Sequence, residues 1–190
     1  MQQIILASQS PRRKQLLEWA EVPFEIIVKE TDESYPKHLS AEEIAVHIAK
    51  NKALAVKQTS KNNIPILAAD TIVVLNNKII GKPKDRADAI NILTDLSGQK
   101  HEVITGVVIL HDTKEIAFAD KTDVHFHSLT NEQIEFYIDK YKPYDKAGAY
   151  AIQEWIGVVG IKSINGDFYN VMGLPVSRVI KALKSIGFPY

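Results

Sequence analysis

The segment from Ile64 to Leu75, IPILAADTIVVL, is apolar and rich in β-branched residues along most of its length. Such a run predicts a strand buried on both faces, as in a sheet covered by helices. Asp70 interrupts the run, and a buried carboxylate is costly unless it has a partner, a metal ion or a raised pKa. Because perturbed carboxylates concentrate at functional sites, Asp70 is a candidate functional residue. The alternative is a structural carboxylate satisfied by a lysine or by backbone N–H groups.

The sequence on either side of this strand predicts alternating strands and helices. The predicted strands are Gln3–Ala7, Phe24–Val28, Lys78–Ile80, Glu102–Leu110 and Ile116–His127. The predicted helices are Arg12–Ala20, one from the Ser40–Glu43 capping box to about Thr59, Asp85–Ser97, one from the Thr130–Gln133 capping box to about Tyr141, and Pro175–Ile186. The segment from Asp145 to Gly173 is rich in glycine, and Asn165–Pro175 predicts a loop that leads to the last helix. This order predicts an α/β fold: an elongated, twisted mixed sheet flanked by helices, with two lobes and a central cleft, in a single domain over residues 1–190.

Composition narrows the class of protein. Of the 190 residues, 45% are hydrophobic and 24% are charged, as is usual for globular proteins, and the absence of cysteine excludes disulfides and a thiolate nucleophile. The 23 basic residues balance the 23 acidic ones, whereas nucleic-acid-binding proteins usually carry a basic excess. The N-terminus is unlike a signal peptide, and no apolar stretch approaches the roughly 20 residues of a membrane span. We therefore expect a cytoplasmic protein that binds neither nucleic acid nor membranes.

The segment Ser8-Gln9-Ser10-Pro11-Arg12-Arg13 lies between the first predicted strand and the first predicted helix. The first N–H groups of a helix lack intrahelical partners and carry the positive end of its dipole, so they attract anions. Proline suits the first helical position, and arginine presents a planar fork that matches phosphate oxygens. The segment therefore predicts a phosphate-binding site. The alternative is an N-cap followed by a solvated basic face.

Four further residues are candidates for binding. Lys82 follows a glycine and precedes a proline, which would hold its ammonium group at a fixed place. Lys52 lies among small residues on the second predicted helix, and Glu33 belongs to an acidic loop whose oxygens suit a hard cation such as Mg²⁺ or Mn²⁺. Gln153 has a donor and an acceptor that could read the edge of a nucleobase. The alternatives are a solvated turn lysine for Lys82, a solvated helix lysine for Lys52 and an ordinary polar loop for Glu33.

Together these segments resemble the Maf family of nucleoside triphosphate pyrophosphatases. The matching blocks occur in the family's order and cover nearly the whole chain: Leu6–Arg13, Ala69–Thr71, Gly81–Pro83, Leu96–Gly98, Asp145–Tyr150 with Gln153, and Asn165–Pro175. One position departs from the pattern, because Gln9 stands where the family often has glycine or another small residue. The combination of blocks is highly specific, although several of them alone are not.

The resemblance implies hydrolysis of a nucleoside triphosphate to the monophosphate and pyrophosphate. It implies a divalent metal cation, Mg²⁺ or Mn²⁺, as cofactor and a fold like that of inosine triphosphate pyrophosphatases. It also implies that Asp70 is the general base for the attacking water, or mainly a ligand of the metal, and that Glu33 contacts the metal or the water. Four side chains are expected to hold the triphosphate: Ser8, Arg13, Lys52 and Lys82.

The resemblance also bears on the substrate. Arg12, Thr71 and Gln153 match the subfamily associated with dTTP and UTP, which implies that these residues select a pyrimidine base, normal or modified. Family proteins have been called septum-formation inhibitors, and the resemblance also implies a homodimer. Two alternatives stay open: the same reaction on a modified purine triphosphate such as 7-methyl-GTP, or a nucleotide-binding regulator of cell division with little turnover. The cellular role is therefore either the cleansing of the nucleotide pool or division control.

Overall fold

The strand predicted from Ile64 to Leu75 is present as β3 (Ile66–Leu75) in the computed structural model, which describes residues 3–60 and 64–189. Asp70 and Thr71 are half-buried in its middle, and the apolar residues around them are buried. The other strands are β1 (Ile4–Leu6), β2 (Phe24–Ile26), β4 (Lys78–Ile80), β5 (Lys100–His111), β6 (Lys114–Phe126) and β7 (Ile161–Asn165). The helices are α1 (Pro11–Trp19), α2 (Ala41–Lys57), α3 (Arg86–Leu96), α4 (Asn131–Tyr141), α5 (Trp155–Gly160), α6 (Phe168–Met172) and α7 (Val176–Ser185).

The strands form one mixed sheet. Their order is β2-β1-β3-β5-β6-β7, with β4 paired to β3. β1 runs parallel to both β2 and β3, so that Ile5 and Leu6 lie opposite Ile66 and Leu67. β4 and β7 are antiparallel to β3 and β6, respectively. A mixed sheet flanked by helices confirms the predicted fold class.

Contacts between residues divide the chain into two compact units. Unit 1 comprises Met1–Asp70, Thr105–Asp120 and Gly173–Tyr190, and unit 2 comprises Thr71–Ile104 and Lys121–Met172. The core of unit 1 joins α2 to the sheet through small and branched apolar side chains: Ile5, Ala7, Ala49, Ala53, Val56, Ile66, Ala68, Val108 and Leu110. The single domain and the central cleft stay predictions. Across the described ranges, no helix has the length and apolar character needed to cross a membrane.

Both predicted capping boxes are present. The backbone N–H of Glu43 donates to Ser40 Oγ at 3.2 Å, and the N–H of Ser40 donates to Glu43 Oε2 at 2.8 Å. Thr130 and Gln133 make the same reciprocal pair at the start of α4. Because a cap fixes the residue at which a helix begins, it also fixes which residues of α2 face the core.

The glycine-rich segment from Asp145 to Gly173 contains more regular structure than the sequence predicted. It includes α5, β7 and α6, and β7 pairs with β6 with a register shift at His125/Phe126. These elements are short, so their periodicity is weak. Position 157 of α5 requires glycine, because a Cβ there would lie 1.7 Å from the carbonyl oxygen of Ile152. The prediction of a loop from Asn165 to Pro175 was therefore wrong for α6, and the sequence analysis predicted neither α5 nor β7.

Gly106 allows β5 to lie unusually close to α2. A Cβ on Gly106 would lie 2.2 Å from the carbonyl carbon of Ala45 and 2.3 Å from the backbone nitrogen of Val46. Both atoms belong to the backbone of a packed helix, so α2 would have to move. We expect Gly106→Ala to lower the free energy of unfolding by about 1–3 kcal/mol, as measured by urea denaturation.

Gly81→Ala is the control for this prediction. A Cβ at Gly81 would meet nothing within 4 Å, and we expect the free energy of unfolding to stay within about 0.5 kcal/mol of the parent value. Equal stabilities for the two variants would contradict the close approach of β5 and α2.

Candidate active site

The junction between β1 and α1 places Ser8 and Arg13 in contact. Ser8 is buried, and its Oγ accepts hydrogen bonds from the Ser10 backbone N–H at 3.2 Å and from Arg13 Nη1 at 3.1 Å. A hydroxyl has two acceptor lone pairs and one donor proton, so these two bonds leave the proton for donation. Pro11 stands at the first helical position, as predicted, but Ser10 makes no side-chain cap to α1.

Arg13 is a buried cation held at two points. Only 8% of the residue is exposed, and its Nε donates to the carbonyl oxygen of Gly173 at 2.8 Å, in addition to the bond to Ser8. Burial lowers the pKa of the Arg13 guanidinium to about 10; attraction by Asp70 and Glu33 opposes this effect, and repulsion by Arg12 adds to it. The group therefore keeps its charge at neutral pH. Sequence reasoning missed Gly173 as an anchor for Arg13, since nothing local relates two residues so far apart in the chain.

Lys52 bridges two carboxylates. Its Nζ lies 2.7 Å from Asp70 Oδ1 and 2.7 Å from Glu33 Oε1. The side chains of Lys52 and Asp70 are 20% and 15% exposed, whereas that of Glu33 is 52% exposed. The partner that the sequence argument required for Asp70 is thus a lysine, and the acidic loop supplies the second carboxylate. Lys52 was expected to contact phosphate, and in the structure it contacts the carboxylates.

The rest of the acidic loop is shaped by its own side chains. Asp32 accepts hydrogen bonds from the Ser34 hydroxyl at 2.6 Å and from the Ser34 backbone N–H at 2.8 Å. These bonds, the hydroxyl first, lower the pKa of the Asp32 carboxyl. Asp32 therefore stabilises the turn, while Glu33 is the member of the loop that contacts Lys52.

The carboxylates of Asp70 and Glu33 have the chemistry of a site for a hard cation. Within residues 3–60 and 64–189, no group of three or more histidine, aspartate or glutamate side chains is placed to hold a metal ion. The two carboxylates nevertheless converge on one positive group, the Lys52 ammonium. Mg²⁺ is commonly held by only one or two carboxylates, with water and substrate phosphates completing its coordination. The residues present therefore fit a divalent cation that binds together with a phosphate ligand.

Lys82 lies in unit 2, in the turn after β4. The carbonyl oxygen of Gly81 accepts a hydrogen bond from the Gly148 N–H at 3.1 Å, and Pro83 is buried. Gly148 has a φ of +72°, and a Cβ there would lie 3.0 Å from Val73, so position 148 requires glycine. The backbone on both sides of Lys82 is thus fixed, while its side chain is exposed.

Gln153 lies at the wall of a cavity in unit 2. The cavity has a volume of about 490 Å³ and is mostly apolar, with Ile152, Val158, Ile164 and Phe168 among its lining residues. Gln153 and Ser163 are the polar side chains in that lining. An apolar wall with a few polar groups is typical of a small-molecule site. Of the other residues predicted to select the base, Thr71 lies on β3 and Arg12 lies half-buried on α1.

A polar network that the sequence argument missed supports the segment around Gln153. Lys146 is buried; its Nζ lies 2.7 Å from Asp145 Oδ1 and 3.7 Å from Glu154 Oε1. Glu154 also accepts a hydrogen bond from the Tyr137 hydroxyl, which in turn accepts one from the Ala151 N–H at 3.1 Å. The only signal in the sequence was the run of small residues from Ala147 to Ala149 between polar ones.

The fold and the charged groups of unit 1 define an α/β protein with a site suited to a polyanion and a hard cation. The sequence model of the Maf family, described as Maf-like protein, matches residues 3–186. The chain belongs to this family, which confirms the resemblance read from the sequence.

Individual relatives agree with this assignment. The chain is 52% identical over 186 residues to a dTTP/UTP pyrophosphatase of Cytophaga hutchinsonii, with 98% of this chain and 85% of that protein covered. It is 47% identical over 182 residues to a dTTP/UTP pyrophosphatase of Parabacteroides distasonis, with 95% and 94% covered. Among solved structures, the Staphylococcus aureus Ham1 protein is similar, with a TM-score of 0.53, 15% identity, and 97% of this chain and 100% of that chain covered. This last likeness concerns the fold alone.

Proposed function

We propose that the protein hydrolyses dTTP, UTP and modified pyrimidine triphosphates to the monophosphate and pyrophosphate. The observation that carries the proposal is the convergence of Asp70 and Glu33 on Lys52, with the buried Arg13 guanidinium attracted by both carboxylates. The dTTP/UTP pyrophosphatases of Cytophaga hutchinsonii and Parabacteroides distasonis support the choice of substrate.

Asp70 is the general base in this proposal. A water oxygen attacks the α-phosphorus, the bond between that phosphorus and the α–β bridging oxygen breaks, and pyrophosphate leaves. Asp70 takes the proton of the water. Its carboxylate is 15% exposed, so water can reach it, and without substrate the Lys52 ammonium compensates its charge.

Ser8, Arg13, Lys52 and Lys82 bind the triphosphate in this proposal. The Ser8 hydroxyl has its proton left to donate, and Arg13 is held in place by Ser8 and Gly173. Groups positioned before the reaction stabilise the negative charge that grows on the pyrophosphate leaving group without reorganising. Lys52 and Lys82 add positive charge on flexible stems.

A divalent cation, Mg²⁺ or Mn²⁺, completes the proposal, with Asp70 and Glu33 as its protein ligands. When bound, such a cation lowers the pKa of a coordinated water and screens phosphate charge. The chain's own contribution is to hold two carboxylates toward one point, where the Lys52 ammonium now lies.

Arg12, Thr71 and Gln153 select the base in this proposal. Gln153 has both a donor and an acceptor, and it lines an apolar cavity of about 490 Å³. A pyrimidine offers flat apolar faces and a polar edge, which match such a wall. Ser163 also lines this cavity, and its hydroxyl is a second group for a hydrogen bond to the polar edge of the base.

We also propose that the enzyme is a cytoplasmic homodimer that acts on free nucleotides and binds neither nucleic acid nor membranes. The equal numbers of basic and acidic residues support the absence of nucleic-acid binding. Gel filtration with light scattering would test the oligomeric state.

A product assay tests the proposed function. The purified protein would be incubated with a panel of pyrimidine and purine triphosphates and Mg²⁺ or Mn²⁺, with pyrophosphate and orthophosphate measured separately. We expect pyrophosphate and the monophosphate from dTTP and UTP. Orthophosphate with a diphosphate would contradict cleavage at the α-phosphorus, and binding without turnover would favour the regulatory alternative.

Lys82→Ala should reduce kcat/KM for dTTP by about tenfold to a hundredfold, because one cation for the phosphates is lost. The effect is limited because the Lys82 side chain is exposed and solvent screens its charge. Steady-state kinetics measure it, and Lys84→Ala is the matched control, since Lys84 is also exposed and lies two positions further along the same turn. Equal kinetics for the two variants would remove Lys82 from the binding site.

A further inference from the structure

The ammonium group of Lys52 occupies the position between the two carboxylates that we propose as metal ligands. Its Nζ is 2.7 Å from an oxygen of Asp70 and 2.7 Å from an oxygen of Glu33. An ammonium and a divalent cation use the same oxygen lone pairs, and two positive groups so close would repel each other strongly. Lys52 and a divalent cation therefore compete for this carboxylate pair.

Arg13 and Lys52 are two described cations that interact with Asp70 and Glu33, and Lys52 is the more mobile of the two. Arg13 is buried and fixed by hydrogen bonds to Ser8 and Gly173. Lys52 has a flexible four-carbon stem on α2, and the helix itself is anchored by Ala49 and Ala53 in the core. A change of side-chain rotamer can move the ammonium group while α2 stays in place.

We propose that Lys52 keeps the Asp70–Glu33 pair closed to a divalent cation until the cation arrives with a triphosphate, and then moves from the carboxylates to the phosphate oxygens. Without a triphosphate, a bound cation would leave the Lys52 ammonium near another positive charge with no anion to receive it. With a triphosphate, the phosphate oxygens replace the carboxylates as partners. The enzyme is thus expected to bind metal and nucleotide together, a consequence that rests on the proposed function.

Mn²⁺ binding in the absence of nucleotide tests this inference. Electron paramagnetic resonance would measure free Mn²⁺ against protein concentration for the parent chain, Lys52→Gln and Lys50→Gln. Lys50 lies on the same helix and pairs with Glu115, so its variant removes the same charge away from Asp70 and Glu33. We expect Lys52→Gln to bind Mn²⁺ about tenfold or more tightly than the parent chain, and Lys50→Gln to match the parent.

Equal Mn²⁺ affinity of the parent chain and Lys52→Gln would overturn the inference. If Lys52→Gln fails to fold, nuclear magnetic resonance of the lysine ammonium groups in the parent chain decides the question. Mg²⁺ alone should leave the Lys52 signal unchanged, whereas Mg²⁺ with a non-hydrolysable dTTP analogue should shift it; a shift with Mg²⁺ alone would overturn the inference. The Mn²⁺ measurement involves no turnover, so its failure is distinct from failure of the product assay.

Discussion

Asp70→Asn should reduce kcat for dTTP hydrolysis by about a hundredfold to ten-thousandfold, because an amide cannot accept the proton of the attacking water. Asparagine is nearly isosteric and keeps an oxygen that can accept a hydrogen bond from Lys52. Lys52 also keeps its ion pair with Glu33. We therefore expect the variant to fold and to bind nucleotide, with most of the loss in kcat rather than in KM.

The measurement is steady-state release of pyrophosphate, with thermal unfolding of the same sample. Asp95→Asn is the matched control, since Asp95 is exposed on α3 in unit 2, and it should retain the parent kcat. Turnover by Asp70→Asn at the parent rate would exclude Asp70 as the base. A large loss of stability would instead indicate that the ion pair with Lys52 is mainly structural.

The parts of the fold with long, regular sequence patterns could be predicted. β3 follows from a continuous apolar run, and the starts of α2 and α4 follow from their capping boxes. The segment holding α5, β7 and α6 could not be predicted, because these elements are too short to show a period. β7 is stabilised by pairing with β6, and that pairing is a long-range contact.

The candidate site likewise has a part that could be predicted from the sequence and a part that could not. The β1–α1 junction with Ser8 and Arg13 has a local signature, and so does the carboxylate of Asp70 within an apolar strand. The partners of these groups have no local signature. Lys52 on α2 contacts Asp70 on β3, and the carbonyl oxygen of Gly173, 160 residues further along the chain, accepts the hydrogen bond from Arg13 Nε. Local sequence patterns therefore identify the charged groups, whereas the tertiary fold determines which of these groups contact each other.

Arg13→Lys should lower both activity and stability, although it keeps the positive charge. Lysine lacks the planar fork that lets one side chain donate to Gly173 and Ser8 at once. With the Gly173 carbonyl left without this donor in a buried place, we expect the free energy of unfolding to fall by about 1–3 kcal/mol. Because the cation is also displaced from its fixed position, kcat/KM for dTTP should fall by about a hundredfold.

Arg178→Lys is the control that separates the effect of Arg13→Lys on activity from its effect on stability. Arg178 also donates to a backbone carbonyl, that of Ala119 at 2.7 Å, but its side chain is 48% exposed, so water can replace the lost bond. We expect this control to retain kcat/KM and to lose less than about 1 kcal/mol of stability. Urea denaturation and steady-state kinetics on both variants give the comparison. If Arg13→Lys retained full kcat/KM while losing stability, Arg13 would be a structural cation that joins α1 to Gly173, and the phosphate contacts would fall to Ser8, Lys52 and Lys82.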